Sequence, residues 1–442
     1  MSSKANQSTD SRRGFLKKGS ATVAGVYLGT LGARRAAGAK VEALALGGGP
    51  KSVTIRPDTR WPRFGDAEVA DVSRLILNPS YKPIDKLEAA WKKYFGCPFA
   101  KAHFNGTSAL ASALFALDLP PGSEILVASY STWFPLAPAR LLGFVPRFVD
   151  IDPKTFNMDV EDCKRRLTSK TRVIMPVHMW GLPCEMDHIC DFAEEHGLDV
   201  IEDACHTHGA TVKGKFTGNW GRVAGFSFQK SKPLPAIEGG IGIYKNRLDY
   251  ERATTFGHYL LPGKFPKGSP YRKYDRTAFG WKLRMHPVSA ILAMHQLKEL
   301  DQHNAVIAKQ VRSLNNRITQ LPGLSEPTCR PDIKRVHYWC NALLLDEKKA
   351  GMSRESVVKA LKAEGVKASA FEWTLLHTYP FFQEAKWWVH QPANPGELPG
   401  SDLANRTAIN IPLWYADQPE LVEQYAKAFE KVWAHRDKLG RG

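Results

Sequence analysis

After residue 39 the chain has no apolar run long enough to cross a bilayer, and it shows no internal repeat, so neither a membrane-spanning helix nor a solenoid is expected. Its seven cysteines (Cys97, Cys163, Cys184, Cys190, Cys205, Cys329 and Cys340) are odd in number and scattered, a pattern that argues against a disulfide framework. Cys184 and Cys190 flank His188 at a spacing that fits no usual zinc site, so no metal is expected. Acidic residues are in deficit, giving a net charge of +17, yet no segment combines a dense Lys/Arg stripe with interleaved stacking aromatics. Nucleic acid is therefore not the expected partner; anionic small molecules are. With 43% hydrophobic and 24% charged residues in 442, the chain reads as a soluble globular protein of more than one ordinary unit.

Seven of the basic residues, Lys4, Arg12, Arg13, Lys17, Lys18, Arg34 and Arg35, fall within residues 1–39 against one acid, Asp10. There "SRRGFLKKGS" (Ser11 to Ser20) precedes a small-residue apolar stretch, and "AAGA" ends at Ala39. This resembles a twin-arginine signal peptide, which implies export by that route, with the mature protein periplasmic or tethered by an uncleaved signal.

Beyond it, residues 84 to 95 have helical periodicity, "AKAHF" reads as a strand, and "TSALASALFAL" is again helical. The short runs "ILVAS", "VPRFV", "RVIMPV", "LDVIE", "AGFSF" and "GIGIY" are rich in Val and Ile and alternate with helical stretches. That alternation predicts an α/β unit, a mostly parallel sheet with helices on both faces, over residues 40–300. From about residue 301 to 442 a long helix, strands in "HYWCNALLL" and "RTAINIPL", and a terminal helix from about Pro419 predict a smaller α+β domain. "YERATTFGHYLL" and the basic "GKFPKGSPYRKYDR" read as a solvated segment.

In parallel sheets ligands gather at the carboxyl ends of the strands, where Asp203, Ser227 and Lys232 lie. A partly desolvated lysine amine attacks aldehydes, which is how pyridoxal 5'-phosphate is anchored. That cofactor also needs a carboxylate at its pyridine nitrogen, a nest of backbone N–H groups for its phosphate, and a flat neighbour for its ring.

"HFNGTSAL", "ASYSTWFPLA", "VHMWGLP", "VIEDACHTHGA", "SFQKSKPLPAIEGG" and "GWKLRMHPVSAILAMHQL", in that order, resemble the DegT/DnrJ family of pyridoxal-phosphate-dependent sugar aminotransferases. The resemblance implies the fold type I transferase architecture and a homodimer with shared sites. It implies that Lys232 carries the cofactor, that Asp203 faces its pyridine nitrogen and that His206 lies near the ring oxygen. Trp133 corresponds to the stacking aromatic, and Gly106, Thr107, Ser108 and Ser227 to the phosphate cradle. Lys282 stands where relatives use an asparagine toward the other subunit's cofactor phosphate, and Ile237 where they use glycine. Arg284 is open between binding a donor carboxylate and a structural ion pair, and His178 between pocket and packing. The implied reaction moves an amino group from glutamate or glutamine to a keto sugar, sugar nucleotide or cyclitol ketone. A dehydratase or epimerase on the same scaffold is disfavoured, because dehydrating relatives replace the lysine with histidine. An exported carbohydrate-binding protein without turnover is the reading from another class.

Overall fold

Seven strands make the principal sheet: β1 (Phe99–His103), β2 (Glu124–Ala128), β3 (Val145–Val149), β4 (Thr171–Ile174), β5 (Asp199–Asp203), β6 (Val223–Ser227) and β7 (Gly240–Tyr244). The computed structural model describes residues 42–440 except 63, 280 and 385–387; the signal-like segment 1–39 lies outside the described residues. The strand order is β1-β7-β6-β5-β4-β2-β3. From β6 to β3 every neighbouring pair is parallel, whereas β7 runs antiparallel to both β6 and β1. The expected mostly parallel sheet is present, with the run "GIGIY" as its reversed strand.

Helices α1 (Asp66–Leu77), α2 (Lys82–Phe95), α3 (Gly106–Ala116) and α4 (Arg247–Gly257) precede the long α5 (Pro287–Ile318). The aromatic face of α2 anchors one layer: Trp91 is fully buried and stacks on Phe95 at 4.2 Å, with Phe226 of β6 edge-on at 5.1 Å. Burying such a side chain contributes about 2–3 kcal/mol.

A second, antiparallel sheet is formed by β8 (Leu324–Ser325), β9 (Asn341–Leu345), β10 (Ser369–Ala370) and β11 (Ala408–Ile411), in the order β8-β9-β11-β10. Helix α6 (Pro419–Ala434) covers its core through Tyr425, Phe429 and Trp433. The boundary expected near residue 300 falls inside α5. Ala290 to Leu300 pack with the principal sheet, and Leu314 and Ile318 with the second core. Val53 also belongs to that second core, and buried Glu364 accepts the Ala45 N–H at 2.7 Å and the Ser52 N–H at 3.0 Å. The segment after residue 42 therefore packs with the C-terminal part of the chain, not with the sheet that follows it in sequence.

Two local expectations differ from the structure. Residues 250–257 are not solvated: Glu251, Thr254 and Phe256 are buried, with Phe256 stacked on Phe115 of α3 at 4.6 Å. In "HYWCNALLL" the strand begins only at Asn341, because the chain turns sharply at Trp339.

Candidate active site

The carboxyl ends of β5 and β6 and the start of β7 meet at one edge of the sheet. Gly225 pairs with Asp203, and Ser227 pairs with Gly240, which also pairs with His103 at the end of β1. Beyond β1, Asn105 caps α3: its Oδ1 accepts the Ser108 N–H at 2.9 Å and the Ser108 hydroxyl at 2.8 Å. The helix N-terminus is drawn so close to β6 that a Cβ on Gly106 would lie 2.5 Å from the Ser227 Cβ. Only glycine fits there, and backbone N–H groups are left facing the space in front of Ser227.

That space is a cavity of about 400 Å³ lined by Gly106, Thr107, Asp203, His206, Ser227 and Lys232. Three stretches of the chain far apart in sequence are thereby assembled, as the strand-end argument predicts. The Lys232 main chain is fixed by its N–H donating to the Gln229 carbonyl at 2.8 Å and its carbonyl accepting the Trp61 indole N–H at 3.2 Å. Its Nζ sits 4.4 Å from the centre of the Tyr338 ring, whose centre is 4.4 Å from that of His206. Lys230, by contrast, is exposed.

Asp203 is buried, and its Oδ1 accepts the Cys205 N–H at 3.1 Å. The imidazole of His206 is held neutral, its pKa pushed well below the usual histidine value by burial and then by the Lys232 charge. His208 is lowered to about 3 by the same two causes. Among the described residues, His206 Nδ1 and both ring nitrogens of His208 have no hydrogen-bond partner.

Not every expected residue reaches the cavity. Ser108 spends both its N–H and its hydroxyl on the Asn105 cap and is not part of the lining. Trp133 is 45% exposed, its ring tilted against that of Phe134 with centres 4.3 Å apart; Phe134, its neighbour, is the aromatic that lines the cavity beside Thr132. Lys282 lies in a different cavity of about 260 Å³, with Lys101, His258 and Arg284. The Arg284 guanidinium is stacked 3.8 Å over the Tyr81 ring, a third arrangement beside the two expected for it. His178 is fully buried, hydrogen-bonded to Glu202 at 3.3 Å and to the Cys184 N–H at 3.0 Å, which is packing and not pocket.

Tyr338 is the residue that sequence reasoning missed. It is 106 positions from Lys232 and was absorbed into an expected strand; the aromatic density of "HYW" was the only signal. Ile237 has φ +66°, a left-handed conformation unfavourable for a β-branched residue, so the glycine expected from the resemblance would fit that backbone without strain.

The residues present fit pyridoxal phosphate. Lys232 offers a primary amine, and Asp203 offers a buried carboxylate in the same cavity. The α3 N-terminus, held against Ser227 by an approach that leaves no room for a Cβ on Gly106, offers backbone N–H groups for a phosphate.

The known proteins that resemble this chain agree with that fit. Residues 66–430 match the sequence profile of the DegT/DnrJ/EryC1/StrS aminotransferase family. GDP-perosamine synthase of Caulobacter vibrioides is 33% identical over 314 residues, covering 70% of this chain and 78% of that protein. Protein MosB of Rhizobium meliloti is 32% identical over 297 residues, covering 63% of this chain; the matched region spans only 57% of MosB. The crystal structure of an aminotransferase from Psychrobacter cryohalolentis superposes with a TM-score of 0.78 at 24% identity, covering 86% of this chain and all of that one. The chain belongs to the DegT/DnrJ/EryC1/StrS aminotransferase family, and is a fold type I, pyridoxal-phosphate-dependent aminotransferase.

Proposed function

We propose that this enzyme transfers an amino group from glutamate or glutamine to the carbonyl of a keto sugar, a sugar nucleotide or a cyclitol ketone. The observation that carries the proposal is the Lys232 amine and the buried Asp203 carboxylate lining one cavity. The name of GDP-perosamine synthase, a relative that covers most of both chains, supports a sugar as acceptor.

Pyridoxal phosphate supplies an aldehyde carbon to hold the migrating nitrogen and a ring to accept electrons. Lys232 Nζ would hold that carbon and, as a free amine, would carry a proton to and from the α carbon of the amino substrate. Asp203 would offer its buried carboxyl group to the ring nitrogen, which must stay protonated for the ring to accept electrons. His206, neutral because it is buried beside Lys232, offers a hydrogen bond without adding a second cation. Thr107, Ser227 and the Gly106 N–H would orient the phosphate, and Phe134, which lines the cavity, would offer an aromatic face.

Two further parts of the proposal concern assembly and address. Large apolar side chains stand exposed on the surface, among them Phe104, Trp133, Phe134 and Trp281, and they support a homodimer whose partner covers them. Lys282, which lies outside the Lys232 cavity, would then act toward the other subunit's cofactor phosphate. Light scattering on the holoenzyme is expected to give twice the chain mass. The arginine pair Arg12-Arg13 supports export by the twin-arginine route, and Arg12→Lys with Arg13→Lys is expected to hold the protein in the cytoplasm.

The central test is chemical. Borohydride reduction of the holoenzyme followed by peptide mass spectrometry is expected to place the cofactor on Lys232. Lys230→Ala should keep the adduct and Lys232→Ala should lose it; an adduct on any other lysine refutes the assignment.

A further inference from the structure

Two bulky residues beside the Lys232 cavity are held in the same strained turn. The Glu238 N–H donates to the Ala236 carbonyl at 2.8 Å across Ile237, whose φ is +66°. The Cys340 N–H donates to the Tyr338 carbonyl at 2.8 Å across Trp339, whose φ is +68°. A hydrogen bond from residue i+2 back to i over a left-handed central residue is the rarer, strained γ-turn, and glycine is the residue that suits it. In each turn a neighbour of the central residue lines the cavity, Glu238 in one and Tyr338 in the other. Both central side chains are apolar and exposed, Ile237 by 55% and Trp339 by 45%.

Trp339 does not stand alone. Its ring lies 5.0 Å from Phe371 at 73° and 6.1 Å from Trp373 at 87°. Trp373 is fixed from both sides: its indole N–H donates to the Ser131 carbonyl, its backbone N–H donates to Asn405 Oδ1 at 2.7 Å, and its carbonyl accepts from Asn405 Nδ2 at 2.9 Å. Ser131 precedes Thr132, which also lines the cavity. On the other side, the Tyr338 N–H donates to the Trp180 carbonyl at 3.3 Å and the Val336 N–H to the Gly181 carbonyl at 3.0 Å, so the turn carrying Trp339 is clamped to the 180–181 segment. A fixed aromatic corner thus adjoins the Tyr338 and Thr132 segments of the cavity wall.

We propose that Trp339, backed by Phe371 and Trp373, forms the acceptor subsite together with Ile237 and grips the C–H face of a saturated ring, that of the sugar or cyclitol. This rests on the aminotransferase reading and adds to it the surface that distinguishes a ring acceptor from an open-chain keto acid. Indole rings bind such C–H faces because their negative π surface meets weakly positive hydrogens, and a ring fixed beforehand loses little freedom on binding. Held in γ-turns, both side chains stand where an unstrained loop would place smaller ones.

Saturation-transfer NMR and calorimetry on the holoenzyme test this with scyllo-inositol, a ring whose six C–H bonds are all axial and which has no reactive carbonyl, and with GDP. Trp339→Gly suits the left-handed backbone, so it should fold. It is expected to weaken scyllo-inositol about fivefold while GDP changes by less than about twofold, and Trp339→Phe should restore most of the loss. Ile237→Gly should raise the melting temperature while also weakening the ring. Unchanged or undetectable scyllo-inositol binding overturns the proposal. So does a loss confined to GDP, which would make the corner a nucleobase site, or dissociation of an oligomer by Trp339→Gly, which would mean a second copy covers it. Because ring binding is read without turnover, these failures are distinct from failure of the aminotransferase reading, which would show as wild-type holoenzyme unable to pass the amino group of either L-glutamate or L-glutamine to its cofactor.

Discussion

Glu202 and Asp203 are adjacent on β5, both carboxylates and both buried, yet they sit on opposite faces of the strand and have opposite fates. Glu202 is saturated: it accepts the backbone N–H groups of Gly218, Trp220 and Gly221, each at 2.7 Å, and lies 3.3 Å from His178 Nε2. Asp203 accepts the Cys205 N–H and faces the Lys232 cavity. A carboxylate whose lone pairs are filled by the backbone holds structure together. One that keeps capacity toward a cavity is available for chemistry, and the difference lies in partners that sequence adjacency does not reveal.

The sharpest way to break this comparison is to neutralise each carboxylate in turn. Asp203→Asn should lower transamination by about 10²–10⁴-fold in single-turnover assays while the melting temperature stays close to wild type. Loss of fold without a specific loss of rate would put Asp203 in the same structural class as Glu202. Glu202→Gln should do the reverse. An amide N–H₂ turned into a nest of three N–H donors leaves buried groups unsatisfied, costing about 3 kcal/mol in urea unfolding, and activity per folded molecule should persist.

Acid extends the contrast to the histidines. His103 and His208 are each pushed down to about 3, by burial first and then by Lys101 and Lys232 respectively. Unfolded histidine titrates near 6.5, so the unfolded chain takes up protons that these two folded side chains refuse. Their contribution is complete above about pH 6.5 and is lost as pH falls toward 3, at up to about 1.4 kcal/mol per pH unit for each. Urea melts at pH 7.5 and pH 5 should show this fall, and His208→Phe should lessen it; equal stability at the two pH values would refute it.

The smallest expected effect compares the paired rings near the cavity. Phe134→Ala should weaken cofactor affinity several-fold, by roughly 1 kcal/mol, and Trp133→Ala by less, because only the former lines the cavity. Spectrophotometric titration with pyridoxal phosphate decides it, and the reverse ranking would restore Trp133 to the role that the motif order implies.

Much of this was legible in the sequence because it rests on local constraints. Alternating apolar runs and helical stretches placed the strands of the principal sheet to within three residues at each end, and Asn105-Gly106 marked the start of α3. Lys232 and Asp203 could be found because their chemistry must sit just past strand ends. Tyr338 could not, since what brings it to Lys232 is the clamp between residues 336–338 and 180–181, a long-range contact with no local pattern. For Ser108 the motif shows a hydroxyl but not that the Asn105 cap already uses it. Residues 250–257 look soluble by composition, and only the packing of α4 against α3 buries them.

The sequence by itself determined the order of strands and helices, the lysine and carboxylate at strand ends, and the family to which they belong, because these follow from periodicity and from motif order along the chain. Tertiary structure alone decided which of two neighbouring carboxylates is open, which of two neighbouring aromatics lines the cavity, and that Trp339 and Ile237 are held strained beside it. Those outcomes depend on which particular hydrogen bonds and close approaches form, from the tight turns at Ile237 and Trp339 to the backbone groups gathered around Glu202 and the clamp of 336–338 on 180–181, and such contacts leave no trace in apolar periodicity or motif order.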